Sequence, residues 1–166
     1  MTAAISTHAT AAQYAAEHPA FWTGLSGEQV SGEQAARHID ATLALLERDG
    51  WVRTYGNDNQ DVEMPAEDAS VKEMLRGLFR VIRDFMGTDK RRTLLTAIDD
   101  VAYSDDGDSD TETVAKQVLN VILRARSGAS TAYYGAWASK LGRTWEEVSD
   151  LLVEAATFAR TYGPTA

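Results

Sequence analysis

The chain has 166 residues, 44% of them hydrophobic, which is enough for one globular domain with a buried core. The absence of cysteine excludes disulfides, thiolate nucleophiles and cysteine-ligated metal sites. A net charge of −9 opposes general binding to nucleic acid or anionic membranes. Since the sequence shows neither a signal-peptide pattern nor an apolar run near the roughly 18 residues of a membrane span, we expect a cytoplasmic protein with no membrane partner.

The N-terminal 30 residues are rich in Ala, Ser, Thr and Gly and predict a flexible arm ahead of a single helical domain over residues 31–163. One or two helical turns are expected near residues 10–17, ending before Pro19. The strong apolar side chains of the arm are Phe21, Trp22 and Leu25. We expect them to tether the arm to the core; the alternative is a short motif that binds a partner.

The first well-defined helix opens with a capping box formed by Ser31 and Gln34, and Gly50 ends it. Its apolar residues recur at helical spacing. They are Ala35, Ile39, Leu43 and Leu46. The segment 56–68 is polar and acidic and predicts a loop.

Two helices are predicted in the middle of the chain, from Ser70 to Gly87 and from about Asp89 to Ala102. The buried face of the first is predicted to hold Val71, Leu75, Leu78, Ile82 and Phe85. The buried face of the second is predicted to hold Leu94, Leu95, Ile98 and Val101.

The C-terminal third predicts three more helices after an acidic loop at residues 104–110. One runs from Thr111 to Ser127, a short one lies within residues 132–141, and the last begins with a Thr144–Glu147 capping box and ends at Gly163. No alternating strand pattern occurs. The sequence therefore predicts an all-α compact bundle of about five or six helices with a loose N-terminal arm.

Short motifs resemble a family of small, uncharacterised proteins from actinobacteria and their phages. Gly50-Trp51 matches a Gly-Trp that follows an early helix in that family, and Trp137 with Gly142-Arg143-Thr144 matches its late Trp-Asn-Asp-x-x-Gly-Arg-Thr pattern. Ala138 and Ser139 stand in place of the Asn and Asp. The family's central Cys-Ala-Leu-Gly-Ala-Leu-like segment is occupied here by Thr93-Leu94-Leu95-Thr96-Ala97-Ile98, without the Cys or the Gly. The resemblance implies a fold and no activity.

A basic segment spans residues 72–92 between two acidic ones. Its cations are Lys72, Arg76, Arg80, Arg83, Lys90, Arg91 and Arg92. The first four share one side of a predicted helix, an arrangement that suits phosphate contacts. We favour a solvated face that neutralises the acidic loops on either side. A contact between the basic segment of one subunit and an acidic loop of another uses the same groups.

The acidic loop from Asp106 to Glu112 alternates carboxylates in the manner of calcium ligands. It departs from the EF-hand pattern, because Thr111 stands at the glycine position and Gln117 at the position of the bidentate glutamate. Carboxylates at the N-terminus of the next helix are the favoured interpretation, since the helix dipole stabilises them there. We expect no metal and no cofactor.

Aromatic side chains concentrate near the C-terminal helix, at Tyr133, Tyr134, Trp137 and Trp145. Such residues at helical spacing usually belong to a core, and the alternative is a partner-binding surface. The histidines, His8, His18 and His38, form no metal or catalytic motif, and no phosphate loop or nucleophile elbow is present.

No motif in the sequence indicates a particular activity. Protein binding is the function that the sequence favours. The partner is another protein or a second copy of the chain, held through aromatic and charge-complementary surfaces. A nucleic-acid-associated protein that uses residues 72–92 is the alternative, and an enzyme of unrecognised class is third.

Overall fold

The structure, a computed structural model, describes residues 2–54, Leu75 and residues 90–165, with side chains described from residue 7 onward. The described residues form six helices: α1 Thr2–Ala16, α2 Gly32–Asp49, α3 Leu94–Ala102, α4 Ser109–Ser127, α5 Tyr134–Ala138 and α6 Trp145–Tyr162. No strand occurs within these residues; the only pairings are two isolated bridges. The predicted all-α bundle is confirmed.

Side-chain caps decide where four of the helices begin. Ser31 and Thr144 form the predicted capping boxes of α2 and α6, with Gln34 and Glu147 as their reciprocal partners. Asp108 caps α4, so this helix begins at Ser109, two residues before the predicted start at Thr111. The helix begins earlier because the Asp108 carboxylate accepts hydrogen bonds from the amides of Asp110 and Thr111. The helix dipole also favours a negative charge at this end.

Helix α3 also begins later than predicted, at Leu94 after the Thr93 cap. The preceding residues are extended instead of helical, because Arg92 pairs with the chain beyond α2. The Arg92 amide donates to the Gly50 carbonyl and the Val52 amide donates to the Arg92 carbonyl, each at 2.9 Å. This short connection holds the end of α2 beside the start of α3.

The N-terminal segment is helical over a longer stretch than the one or two turns predicted, because α1 spans 15 residues. Alanine has the highest helix propensity, and its small side chain lets two helices approach closely. Helix α1 packs on α4 and contributes Ala11 and Ala15 to the core. Phe21 is buried in the same core, as expected of a tether, whereas Leu25 is exposed.

Helices α2 and α6 form the central pair, and their ends meet at two glycines. The Gly32 amide donates to the Pro164 carbonyl at 2.9 Å, so the start of α2 lies against the end of α6. A Cβ at Gly32 would overlap the Ala159 carbonyl oxygen of α6. On the outer side of the pair, Arg160 binds Glu33 and Asp40.

A buried histidine joins three helices. His38 of α2 is fully buried, and its Nε2–H donates to the Ile98 carbonyl of α3 at 2.9 Å. Because that carbonyl can only accept, Nδ1 carries no proton and accepts from the Thr111 hydroxyl of α4 at 3.0 Å. Burial lowers the pKa of His38, so the neutral ring is the stable form.

Two residues predicted to be buried are exposed. Leu95 lies on the solvent side of α3, and Leu75 is helical but half-exposed. The whole predicted loop over 56–68 lies outside the described residues. So does the predicted helix over 70–87, apart from Leu75. Within the described part of the chain, no helix has the length and apolar character needed to cross a membrane.

The Gly32→Ala variant tests the contact between α2 and α6. Although alanine favours a helix, the added methyl group overlaps Ala159, so we expect the free energy of unfolding to fall by about 1–3 kcal/mol. Denaturant unfolding measures this change, with the exposed substitution Glu47→Ala as the control. Equal or higher stability of Gly32→Ala would show that the helix ends do not touch.

His38 makes stability depend on pH. Its pKa is lowered in the folded state, so the unfolded chain takes up the proton first, and stability is lost as pH falls below the unfolded value of 6.5. We expect the His38→Gln variant to lose this part of the slope between about pH 7.5 and 5.5, while unfolding more easily throughout. Unfolding free energies at several pH values measure it, and the exposed His18→Gln variant is the control. A slope in His38→Gln equal to that of the unmodified chain would contradict the assignment.

Candidate functional site

A groove of about 360 Å³ lies between the C-terminal end of α4 and helix α5, and we call it the α5 groove. Its lining residues are Leu123, Arg126, Ser127, Thr131, Ala132, Tyr133, Ala136 and Trp137. Gly128 shapes it, since its φ of 69° lets the chain turn back across the end of α4. The walls are mainly aliphatic and aromatic, and the polar side chains among them are those of Arg126, Ser127 and Thr131.

Helix α5 has only five residues and no side-chain cap, so local interactions do not explain its stability. Long-range hydrogen bonds hold it instead. The Tyr134 amide donates to Asn120 Oδ1 of α4 at 2.8 Å. At the other end, Arg53 donates to the Ser139 carbonyl at 3.1 Å and Arg143 donates to the Trp137 carbonyl at 3.2 Å. Both ends of α5 are therefore fixed to other parts of the chain.

Trp137 forms one wall of the α5 groove and carries an arginine on its ring. The Arg143 guanidinium carbon lies 3.7 Å from the ring centroid, and Arg143 also donates to Glu147 at 2.6 Å. The Thr144 amide and then Arg143 lower the pKa of Glu147, which keeps the carboxylate charged. Glu147 thus caps α6 and orients the arginine over Trp137.

The four aromatic residues predicted from sequence occupy different environments. Tyr133 and Trp137 line the α5 groove, and Tyr133 is 47% exposed. Tyr134 is only 1% exposed and lies in the core, where burial raises the pKa of its hydroxyl far above the usual value. Trp145 packs half-buried against the core and is not part of the groove wall.

Several groove residues were not predicted. Leu123, Arg126 and Thr131 carry no distinctive motif, because their position depends on how α4 meets the turn after Gly128. Leu141 does not line the groove, although it is a large apolar residue in a polar turn just before Gly142. It is 84% exposed and follows Trp137 by four residues.

The predicted basic segment is only partly described, because Lys72, Arg76, Arg80 and Arg83 lie outside the described residues. Arg92 is engaged in the fold, where it binds both Asp49 and Asp100. Arg48, together with Arg92, lowers the pKa of Asp49 to about 2. Lys90 and Arg91 are exposed. Arg92 is thus committed to holding α2 and α3 together.

The acids of the predicted calcium-like loop have separate structural roles. Asp108 caps α4, and Glu112 pairs with Lys116. Asp110 accepts from the amide of Ser26 at 2.9 Å and from its hydroxyl, which lowers the pKa of Asp110. Across residues 2–54 and 90–165, no three His, Cys, Asp or Glu side chains are grouped as metal ligands.

A second depression, of about 510 Å³, lies between α2 and α3 and has a more polar lining. Its charged groups include Arg48 and Arg92, which pair with Asp49 and Asp100. The described histidines serve the fold: His38 is buried, His18 contacts the Tyr14 carbonyl, and His8 contacts Glu154. In the second depression the Ser104 hydroxyl donates to the Val101 carbonyl and not to a base.

Removing the Tyr134 hydroxyl should not destabilise the protein. This buried group has no hydrogen-bond partner among the described residues, so folding costs its hydration without compensation. We expect Tyr134→Phe to leave the unfolding free energy unchanged or to raise it by about 1 kcal/mol. Thermal and denaturant unfolding measure this, with Tyr103→Phe at a fully exposed tyrosine as the control. A clear loss of stability in Tyr134→Phe alone would reveal a hydrogen bond to this hydroxyl.

The chain was compared with known protein families, curated proteins and solved structures. Residues 30–158 match the model of a family of unknown function (DUF6197), a range that includes helices α2 to α5, the α5 groove and most of α6. No curated protein and no solved structure matches the chain. An origin in actinobacteria or their phages stays a prediction. Because the match extends over most of its length, the chain belongs to the family of unknown function DUF6197.

Proposed function

We propose that this chain is a non-enzymatic protein-binding domain and that the α5 groove is its binding surface. The observation that carries the proposal is a partly exposed, mainly apolar groove whose wall holds two aromatic side chains. Tyr133 and Trp137 both line the groove, and Tyr133 keeps 47% of its surface exposed. Exposed aromatic and aliphatic groups collected around a concavity are typical of interaction sites.

The composition of the groove favours a side chain of a partner over a reacting substrate. Its volume is at the low end of the roughly 300–1,000 Å³ range of small-molecule sites. The walls offer apolar contact and few polar groups, and the one cation within the lining, Arg126, is already paired with Glu154. Tryptophan, tyrosine and arginine are also the residue types that most often dominate binding energy at protein interfaces.

The anchoring of α5 supports the same function. Asn120, Arg53 and Arg143 hold the short helix at both ends, so Trp137 needs little further ordering when a partner binds. A preformed surface loses less conformational entropy on association than a mobile one, which increases affinity for the same contact area.

The Ala136→Arg variant tests this surface. Ala136 is an exposed residue of α5 that lines the α5 groove, so an arginine there fills the groove without disturbing the core. We expect the variant to lose proteins that the unmodified chain captures from a lysate of its source organism, because the groove is obstructed. Quantitative mass spectrometry of captured proteins measures the loss.

The matched control is Ala44→Arg, which introduces the same side chain at an exposed α2 position in the second depression. It should capture the same proteins as the unmodified chain. If Ala136→Arg and Ala44→Arg capture equally, the α5 groove is not the binding surface. Captured material that disappears after nuclease treatment would instead favour the nucleic-acid alternative.

A further inference from the structure

Helix α1 is attached less extensively than the other long helices of the described bundle. It packs closely on α4, whereas α2 packs on α3, α4 and α6. The buried side chains that α1 adds to the core are those of Ala11 and Ala15, which remove little apolar surface from water. Helix α1 also precedes the range 30–158 that matches the family model. Its contact with the bundle is therefore small and lies outside the shared part of the chain.

Two polar atoms are buried where α1 meets the bundle, and neither has a hydrogen-bond partner among the described residues. They are Nε2 of His8 in α1 and Nε of Arg124 in α4. The His8 Nε2 lies 3.5 Å from Glu154 Oε1, which is at the limit of a hydrogen bond. The Arg124 guanidinium lies 5.0 Å from the centre of the Tyr14 ring. Docking of α1 thus removes water from two polar groups without replacing it, which offsets part of the apolar contact.

The chain at the end of α1 has the properties of a hinge. Residues 16–20 are all exposed, and Pro19 among them has no amide hydrogen to continue the helix. The segment beyond them is fixed to the bundle. Phe21 is buried in the core, and the Ser26 amide donates to Asp110 Oδ1 at 2.9 Å. Helix α1 is therefore free to move about residues 16–20 while the following segment keeps its place.

We propose that α1 is a strap that opens about residues 16–20 as one unit while helices α2–α6 stay folded. Opening returns His8 Nε2 and Arg124 Nε to water and uncovers the edge of Phe158 that faces His8. A helix of this length is marginal in water without tertiary contacts, so the open strap loses its helical hydrogen bonds. The inference does not depend on the proposed function, because no residue of the strap lines the α5 groove.

Amide hydrogen exchange of the full-length chain, followed by NMR, measures the opening. The amides of residues 11–16 should share one opening constant. It should be about 100-fold larger than that of the amides in α2 and α6, because a locally opening unit needs less free energy than global unfolding. Denaturant should accelerate exchange of the strap less than exchange of α2, since opening the strap exposes less surface.

Two substitutions separate the strap from the bundle. Tyr14→Ser removes the ring that lies under Arg124 and keeps a similar helix propensity. It should accelerate exchange in α1 by about fivefold and leave α2 and α6 unchanged. Ile39→Val removes one methylene group from the core of α2. It should accelerate exchange in α2 and α6 by about fivefold and leave α1 unchanged.

The matched control for Tyr14→Ser is Tyr103→Ser, the same substitution at an exposed tyrosine, which should change neither unit. Equal opening constants for α1 and α2 would overturn the inference. So would a Tyr14→Ser variant that accelerates exchange in both helices or in neither. Faster exchange of α1 in Ile39→Val would also overturn it, because α1 would then unfold only together with the bundle.

Discussion

The buried imidazole of His38 is the contact on which the arrangement of the bundle depends. It lies on α2 and bonds to a backbone carbonyl of α3 and a hydroxyl of α4, so one side chain links three helices. The space beside it is equally restricted, since a Cβ at Gly107 would lie 2.6 Å from its Nδ1. An unpaired polar group in this position would cost about 1–3 kcal/mol, which makes the arrangement specific as well as stable.

The candidate surface derives its order from the same tertiary framework. Helix α4, placed by His38 through Thr111, carries Asn120, and Asn120 holds the start of α5. Arg53 and Arg143 then bind carbonyls at the other end of α5. A five-residue helix has no stability of its own, so the groove exists only when α4 and the segment after α2 are in place.

Several ion pairs join helices to segments that lie far away in the sequence. Within the fold, Arg92 pairs with Asp49, Arg160 with Asp40 and Lys116 with Asp99, and these pairs connect segments distant in sequence. The net charge of −9 does not reveal which of these charges are paired.

Sequence alone determined the features that depend on neighbours within a few residues: the capping boxes at Ser31 and Thr144, the ends of α2 and α6, and the all-α class. Only the tertiary structure separated Tyr133 from Tyr134, since adjacent residues in a short segment have no period that tells surface from core. The same limit applies to the length of α1, to the extended conformation at Arg92 and to the walls of the α5 groove. Each of these depends on partners far along the chain, such as Asn120 for α5 and Gly50 for Arg92, and local hydrogen bonding and helical periodicity carry no information about such partners.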